Sequence, residues 1–219
     1  MEKTKVIVDT CFLQRLSSEG RNVTNVKRVL DELEYIPVVH PYISEHELSL
    51  HSYLKHLIDE GYIQVIPYSE FQKDESDEKS YRGYFEILYE DLRQLLEALE
   101  SPKQMEKLNV PKGQTIYTMH KQGSSIGDVH MMLMAAFMQM PVILTDDGDI
   151  DKLREIARRR MGLSTYALRI LNGVDVIMEL AKKKESSITA KELESILKDM
   201  RARDKVSEVK EIWRENHNC

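Results

Sequence analysis

The chain has 219 residues, of which 42% are hydrophobic and 31% are charged, and this composition is typical of a folded globular protein rather than a disordered one. Its formal net charge of −6 at pH 7 excludes a broadly basic surface and argues mildly against nucleic-acid binding. The two cysteines, Cys11 and Cys219, form no closely spaced pair. That argues against a disulfide framework and a zinc site, and predicts a reducing, cytoplasmic environment.

The first part of the chain alternates predicted strands and helices. Lys5–Val8 is a short β-branched run that predicts a strand buried on both faces. Asn25–Tyr35 has apolar residues at helical spacing. A second helix is predicted from about Ser44, and its inward face is Glu47, Leu50, Leu54, Leu57 and Ile58. Gly61 ends that helix, and Tyr62–Pro67 is the next predicted strand.

The middle of the chain continues this alternation. The polar tract Ser69–Ser80 is predicted to be a loop, and apolar spacing from Tyr84 to Leu99 predicts a long helix. The segment Ser101–Gly123 shows no clear pattern. Ser125–Met138 predicts an apolar helix, and Pro141–Thr145 predicts a buried strand. Alternating strands and helices with crossover-length connections predict a parallel sheet in an α/β fold.

No membrane segment is expected. The longest apolar run, Met131–Met138, is far shorter than the ~20 residues that span a bilayer. The first residues lack the apolar core of a signal peptide, so we expect an intracellular protein.

No strand is predicted after Ile150. We expect helices at Ile150–Met161 and Thr165–Ala181, a third beginning at Thr189, where Thr189 and Glu192 match a capping box, and a last one that carries Trp213. The chain is therefore predicted to consist of a sheet domain at residues 1–162 and an α-helical extension at residues 163–219. The basic runs Arg158–Arg160 and Lys182–Lys184 are interpreted as solvated helix faces.

Acidic residues follow two predicted strands and open two predicted helices. Asp9 comes directly after the first strand, and Asp146 and Asp147 come directly after the last. Asp128 and Glu47 each lie in the first turn of a helix. Ligands of open parallel sheets bind outside the carboxyl ends of the strands, so these acids are predicted to meet at one edge.

Each acid also has a simpler structural interpretation. Asp128 with Ser125 fits a capping box, and Glu47 alone could be a surface residue. Glu45 lies about 200° round the helix from Glu47, so only one of the two can share the inward face, and Glu47 is preferred. Several carboxylates at one edge would repel without a cation. Oxygen ligands without histidine or cysteine favour Mg²⁺ or Mn²⁺, ions that activate water and stabilise displacement at phosphorus.

The order of these motifs resembles that of the PIN-domain family of metal-dependent ribonucleases. The matching segments are VIVDT, ISEHEL, GDVHMMLMAAF and TDDGD. The last selects Asp147 and Asp149 over Asp146 and makes Thr145 the expected hydroxyl partner. The resemblance covers roughly residues 4–155; the long insertion around residues 69–122 and the helical tail depart from the family pattern. It implies a three-layer α/β/α fold with a central parallel sheet.

The resemblance implies an endoribonuclease that uses Mg²⁺ or Mn²⁺ to cleave an RNA substrate. Asp9 and Asp128 would hold the main metal, while Glu47, Asp147 and Asp149 would complete its shell or position the water. Many PIN proteins are toxins neutralised by an antitoxin, and an antitoxin, another protein partner or a homodimer remains open here.

Two other folds that use carboxylates fit the sequence less well. A haloacid dehalogenase-like phosphatase needs a second aspartate two residues after the first, where this chain has Cys11. A topoisomerase-primase-type domain needs a glutamate where this chain has Asp9. The alternative from another functional class is a catalytically weak PIN-like module that binds RNA or a protein.

The turn after the last predicted strand is expected to point its acids in two directions. Asp147 and Asp149 should face the metal edge, while Asp146 and Asp151 should face solvent. Gly148 would permit a tight turn between the two inward acids if its φ is positive.

Overall fold

The computed structural model describes residues 3–100, 102–118, 124–163 and 165–217. Cys219 lies outside these residues, and Cys11 is a free thiol. Across the described ranges, no helix combines the length and the apolar character that crossing a membrane requires.

Five short strands form one parallel sheet in the order β3-β2-β1-β4-β5. They are β1 (Thr4–Val8), β2 (Tyr35–Val39), β3 (Gln64–Val65), β4 (Val142–Leu144) and β5 (Arg169–Leu171). The central strand β1 pairs with both neighbours, Ile7 lying opposite Val38 on one side and Ile143 on the other. Strand order reverses between β1 and β4, and a reversal of this kind is where open parallel sheets bind ligands.

Helices connect the strands and pack in two groups. The helices are α1 (Thr10–Leu16), α2 (Thr24–Glu32), α3 (Pro41–His46), α4 (Ser52–Asp59), α5 (Glu75–Ala98), α6 (Pro102–Leu108), α7 (Ile126–Met138), α8 (Asp149–Arg160), α9 (Gly173–Lys182), α10 (Ala190–Asp199) and α11 (Val206–His217). One group contains α1, α2, α9, α10 and α11; α3, α5, α7 and α8 belong to the other. Apolar side chains of the sheet and of both groups form one buried core. The arrangement is consistent with the predicted three-layer α/β/α fold.

The prediction that no strand follows Ile150 is wrong. β5 pairs in parallel with β4, and the helix predicted at Thr165–Ala181 begins only at Gly173, where Asn172 and Asp175 form a capping box. The segment 163–219 is therefore not purely helical, and a boundary at residue 162 divides the sheet. The capping box at Thr189 and the final helix with Trp213 are confirmed.

The helix predicted from about Ser44 is broken into three pieces. α3 begins earlier, because Pro41 suits its first turn and the His40 side chain accepts a hydrogen bond from the Tyr42 N–H. A 3₁₀ turn at Leu48–Leu50 and then α4 follow. Leu50, which was expected to face inward, is 58% exposed.

Three other boundaries differ from the prediction. α2 ends at Glu32, and Tyr35 begins β2 instead of ending a helix. The strand predicted at Tyr62–Pro67 contains only Gln64–Val65. The predicted loop Ser69–Ser80 holds the first turns of α5, because Asp74 caps the helix and acidic residues favour its N-terminus.

Candidate active site

A cavity of about 230 Å³ opens at the carboxyl ends of β1 and β4. Four of the five predicted acids line it: Asp9, Glu47, Asp128 and Asp147. They come from four separate places in the fold, namely the end of β1, the break after α3, the first turn of α7 and the turn after β4. The fifth predicted acid, Asp149, does not line the cavity.

Asp9 is fixed by the strand that precedes it and by three hydrogen-bond donors. Its N–H donates to the Leu144 carbonyl at 3.0 Å, which continues the β1–β4 ladder. Its Oδ1 accepts from the Thr10 N–H at 2.6 Å, and its Oδ2 accepts from the hydroxyl of Thr145 and the thiol of Cys11, both at 2.7 Å. The hydroxyl expected from Thr145 therefore orients Asp9, and it also accepts from the Asp147 N–H at 3.0 Å.

Glu47, rather than Glu45, enters the cavity. Glu47 lies between α3 and the 3₁₀ turn, and its carboxylate packs so close to Gly127 that a Cβ at position 127 would collide with it. The Glu45 side chain is 71% exposed and lies beside His46 at 3.9 Å. The break in the predicted helix thus leaves the inward direction of Glu47 unchanged.

Asp128 lies in the first turn of α7 and is 7% exposed. Its capping-box interpretation is wrong, because the Ser125 side chain makes no capping hydrogen bond. Within the described part of the chain, no donor is hydrogen-bonded to the Asp128 carboxylate. A buried carboxylate in this state is costly unless a ligand or a proton neutralises it.

The acids that follow β4 separate into different environments. Asp147 faces the cavity, where its Oδ2 accepts from the Lys107 ammonium at 2.7 Å. Asp149 is fully buried away from the cavity, and its carboxylate is held by Lys152 at 2.7 Å, Lys107 at 3.4 Å and the Gln104 amide at 2.8 Å. This arrangement does not place Asp149 among the cavity acids, contrary to expectation.

The other two acids of this turn, Asp146 and Asp151, differ in their exposure to solvent. Asp146 was predicted to face solvent, but its side chain is only 11% exposed and forms an ion pair with Arg15. Asp151 is 58% exposed, as predicted, and pairs with Arg154 at 2.9 Å. Gly148 has a φ of −73°, so the turn does not require a glycine for its backbone conformation.

The pKa values of the cavity acids are set mainly by burial, because few basic side chains lie near them. Burial, and then the charges of Asp9, Asp147 and Glu47, hold the pKa of Asp128 well above its ordinary value. Burial also raises the pKa of Asp9, although its three hydrogen bonds oppose the shift. Burial and the charge of Asp9 raise the pKa of Glu47 to about 7. These three acids therefore favour a neutral form or an added cation.

Asp147 differs from the other cavity acids because it has a cation beside it. Burial alone would raise its pKa, but the hydrogen bond and charge of Lys107 outweigh burial, and the pKa of Asp147 is lowered. Lys107 belongs to α6, in the segment where the sequence showed no pattern. No sequence signal placed it in the site.

Neutral polar groups missed by the sequence analysis also line the cavity. Gln14 contacts the His51 ring at 2.8 Å, and both residues lie at the wall. The hydroxyls of Thr10 and Ser124 are also buried there, Thr10 beside Glu47 and Ser124 beside Tyr42. Their oxygen atoms add to those that a ligand could use.

The donor set fits a hard divalent cation better than a transition metal that prefers sulfur or nitrogen. Asp9, Glu47, Asp128 and Asp147 supply carboxylate oxygens, the ligands that Mg²⁺ and Mn²⁺ prefer. Among the described residues, however, no three histidine, cysteine or acidic side chains are already grouped closely enough to hold an ion. Metal binding would therefore have to draw these carboxylates together.

No protein-family model matches the chain, and the curated proteins and solved structures likewise contain no match to it.

Proposed function

We propose that the protein is a Mg²⁺- or Mn²⁺-dependent endoribonuclease that hydrolyses RNA phosphodiester bonds. One observation carries this proposal: Asp9, Glu47 and Asp128 share a cavity at the switch point of the sheet, and all three have raised pKa values because of burial. Such an arrangement is costly in isolation, and a divalent cation would remove the cost. The choice of RNA among phosphodiesters rests on the resemblance to PIN-domain ribonucleases.

The cavity residues have distinct roles under this proposal. Asp9 and Asp128 would hold the ion, with Thr145 keeping the Asp9 carboxylate in a fixed orientation. Glu47 and Asp147 would complete the oxygen shell or accept a hydrogen bond from the attacking water. When bound, the ion would lower the pKa of its water and offset the charge that builds on the phosphate oxygens. Asp149 would support the site indirectly, because its N–H donates to Asp147 at 3.0 Å.

The test is cleavage of an end-labelled RNA by purified protein with Mn²⁺, with Mg²⁺ and with a chelator. We expect cleavage with a metal and none with the chelator. Asp128→Asn, purified in parallel, controls for a contaminating nuclease, and this change should be tolerated because no described residue donates a hydrogen bond to the carboxylate. Equal cleavage by the variant and the wild type would contradict the proposal, because the cleavage would then come from a contaminating nuclease or from a site that does not use Asp128.

A catalytically weak module that binds RNA or a protein is the second candidate, and one observation favours it. The Lys107 ammonium already neutralises Asp147, and no preformed metal group exists among the described residues. In that case the Lys107 ammonium would take the place of a metal cation beside Asp147. Melting temperatures measured with increasing Mn²⁺ distinguish the two functions. A rise in the wild type supports the nuclease. The absence of a rise in the wild type, with a rise in Lys107→Met, supports the module.

A further inference from the structure

A basic groove continues from the acidic cavity along the surface. It consists of two adjoining depressions of about 510 and 400 Å³. The first shares Cys11 and Gln14 with the cavity wall, and the second shares Ser18, Arg21 and Arg201 with the first. The three spaces therefore adjoin one another on the surface, with the carboxylates at one end.

The groove lies between α1 with its following turn and the C-terminal end of α10. The hydroxyl of Ser18 donates to the Asp199 carbonyl at 3.1 Å, and the Asn22 amide donates to the Asp199 carboxylate at 2.6 Å. Arg15 donates through Nε to the Met200 carbonyl at 3.3 Å. These contacts hold the C-terminal end of α10 against α1, so the two walls of the groove are fixed relative to each other.

The charge of the groove is opposite to that of the chain as a whole. Five cationic side chains line it against two anionic ones, in a chain of net charge −6. The cations are Arg15, Arg21, Lys198, Arg201 and Arg203, and the anions are Glu19 and Asp199. A local excess of this kind attracts an anionic ligand to one face of an acidic protein.

Two of these cations have no acidic partner among the residues that the structure describes. Arg21 donates to the carbonyl and hydroxyl of Ser18, at 3.1 and 2.9 Å, and to no described carboxylate. Arg203 forms no ion pair with any described residue, and both side chains are exposed. Arg201 is 3.2 Å from Glu19, but both side chains are largely exposed, so this pair is weak. Arg21 and Arg203 therefore retain guanidinium donors for a ligand.

We infer that this groove binds the sugar-phosphate backbone of single-stranded RNA whose reacting phosphate lies in the acidic cavity. Guanidinium groups match phosphate geometry, and phosphate contacts fix the register of a strand. None of the described residues that line the groove is aromatic, so it has no platform for stacking bases and should not read sequence. Asp9 and Asp128 are each only 7% exposed, and a flexible single strand reaches such recessed groups more readily than a duplex does.

This inference rests on the proposed function, and its test separates binding from cleavage. Fluorescence anisotropy would measure binding of a labelled oligouridylate of about 12 nucleotides, in a chelator so that nothing is cleaved. The variant is Arg21→Glu with Arg203→Glu. The matched control is Lys182→Glu with Lys184→Glu, which makes the same charge change at exposed lysines that form no ion pair with described residues.

We expect the groove variant to bind the RNA at least about tenfold more weakly and the control to bind as the wild type does. The slope of log affinity against log salt should also fall by about 1.4, because each phosphate contact on a single strand contributes about 0.7. Equal affinity in the groove variant and the wild type would overturn the inference. So would an equal loss in the control, which would reflect net charge alone.

Hydrolysis of bis(4-nitrophenyl) phosphate with Mn²⁺ shows which proposal fails. This small diester has no second phosphate for Arg21 or Arg203 to bind, so the groove variant should hydrolyse it at the wild-type rate. A wild type that binds the RNA through the groove but hydrolyses neither substrate would contradict the proposed function and leave only the groove as an RNA-binding surface. A wild type that hydrolyses the diester but does not bind the oligouridylate would overturn the inference, and an acidic protein would then be the better partner for the groove.

Discussion

Two groups of buried acids lie at the same edge of the sheet, and they differ in whether a basic side chain neutralises them. The cavity acids, Asp9, Glu47 and Asp128, have raised pKa values and no ion pair among the described residues. The paired acids, Asp146 and Asp149, have side chains that are 11% and 0% exposed, and they are bound by Arg15 and by Lys152. Burial alone therefore does not distinguish the acids of the proposed metal site. Under the proposed function, Asp9, Glu47 and Asp128 are distinguished by burial without a neutralising partner, whereas Asp147 has Lys107 beside it.

The largest effect should come from the cavity acid that the structure holds most firmly. We expect Asp9→Asn to reduce Mn²⁺-dependent RNA cleavage below detection, because it removes a carboxylate assigned to the metal. The melting temperature without metal should be unchanged or higher, because the change relieves repulsion with Glu47 and Asp128.

Asp151→Asn is the matched control for this change, because Asp151 is acidic, close in sequence to the cavity turn and 58% exposed. It should leave both cleavage and melting temperature unchanged. Wild-type cleavage by Asp9→Asn would show that Asp9 is not a metal ligand.

The next effect concerns Glu47 and pH. Its pKa is raised from 4.5 to about 7 in the folded protein, so the folded state binds a proton that the unfolded state has lost. The stability from this group is complete below about pH 4.5 and is lost as the pH rises through about 7. Each pKa unit corresponds to about 1.4 kcal/mol, so the loss is at most a few kcal/mol.

Urea unfolding of the metal-free protein at about pH 5 and about pH 8 measures this loss. Glu47→Gln should reduce the difference between the two pH values. Glu45→Gln, at a side chain that is 71% exposed, should retain the full wild-type difference. Identical pH dependence in all three proteins would contradict the burial of Glu47.

A smaller effect, of opposite kind, is expected for a paired acid. Asp146→Ala should lower the free energy of unfolding by about 1–2 kcal/mol, because it leaves Arg15 without its partner while that guanidinium is partly exposed. Asp151→Ala, at an exposed i,i+3 pair, should change it by less than about 0.5 kcal/mol. Denaturant unfolding measures both. An Asp146→Ala protein as stable as the wild type would erase the distinction between paired acids and cavity acids.

The last effect concerns Mn²⁺ affinity and compares two neighbouring acids in one turn. Asp147→Asn should weaken Mn²⁺ binding at least about tenfold, or about 1.4 kcal/mol, because Asp147 lines the cavity. Asp146→Asn should not weaken it, because Asp146 faces Arg15. Calorimetric titration of Mn²⁺ into both variants decides the point. The reverse result would assign the metal edge to Asp146.

Local sequence patterns were sufficient to predict part of the site. An apolar run followed by an acid indicated Asp9 and the pair Asp146 and Asp147, because buried parallel strands have continuous apolar sequences that end at the ligand edge. The choice of Asp147 over Asp146 came from the resemblance to PIN-domain proteins. Glu47 was placed inward because it heads the face that continues as Leu50 and Leu54, but of these two leucines only Leu54 is buried, and Leu50 is 58% exposed. The break in that helix could not be read, because it depends on the proline and histidine that start α3 earlier.

The features that were missed depend on contacts between distant parts of the chain. Arg15 and Asp146 are 131 positions apart, so no local spacing predicts their ion pair. Lys107 reaches Asp147 from across a segment without periodicity, 40 positions away. β5 has only three residues, too few for a pattern, and its register is set by β4. Contacts between distant parts of the chain determine the two ion pairs and the strand.

The late position of β5 in the chain has a consequence for synthesis. The Thr145 N–H donates to the Leu171 carbonyl at 3.0 Å, and the Gly173 N–H donates to the Asp146 carboxylate at 3.3 Å. The turn that carries Asp147 is therefore braced by residues that leave the ribosome well after the turn itself. Ribosome-bound chains halted before Arg169 should not bind Mn²⁺ with the affinity of the finished protein, and equal affinity would contradict this order. Under the proposed function, the chain stays inactive beside the RNA of the ribosome until β5 and the start of α9 have been synthesised and have paired with the turn.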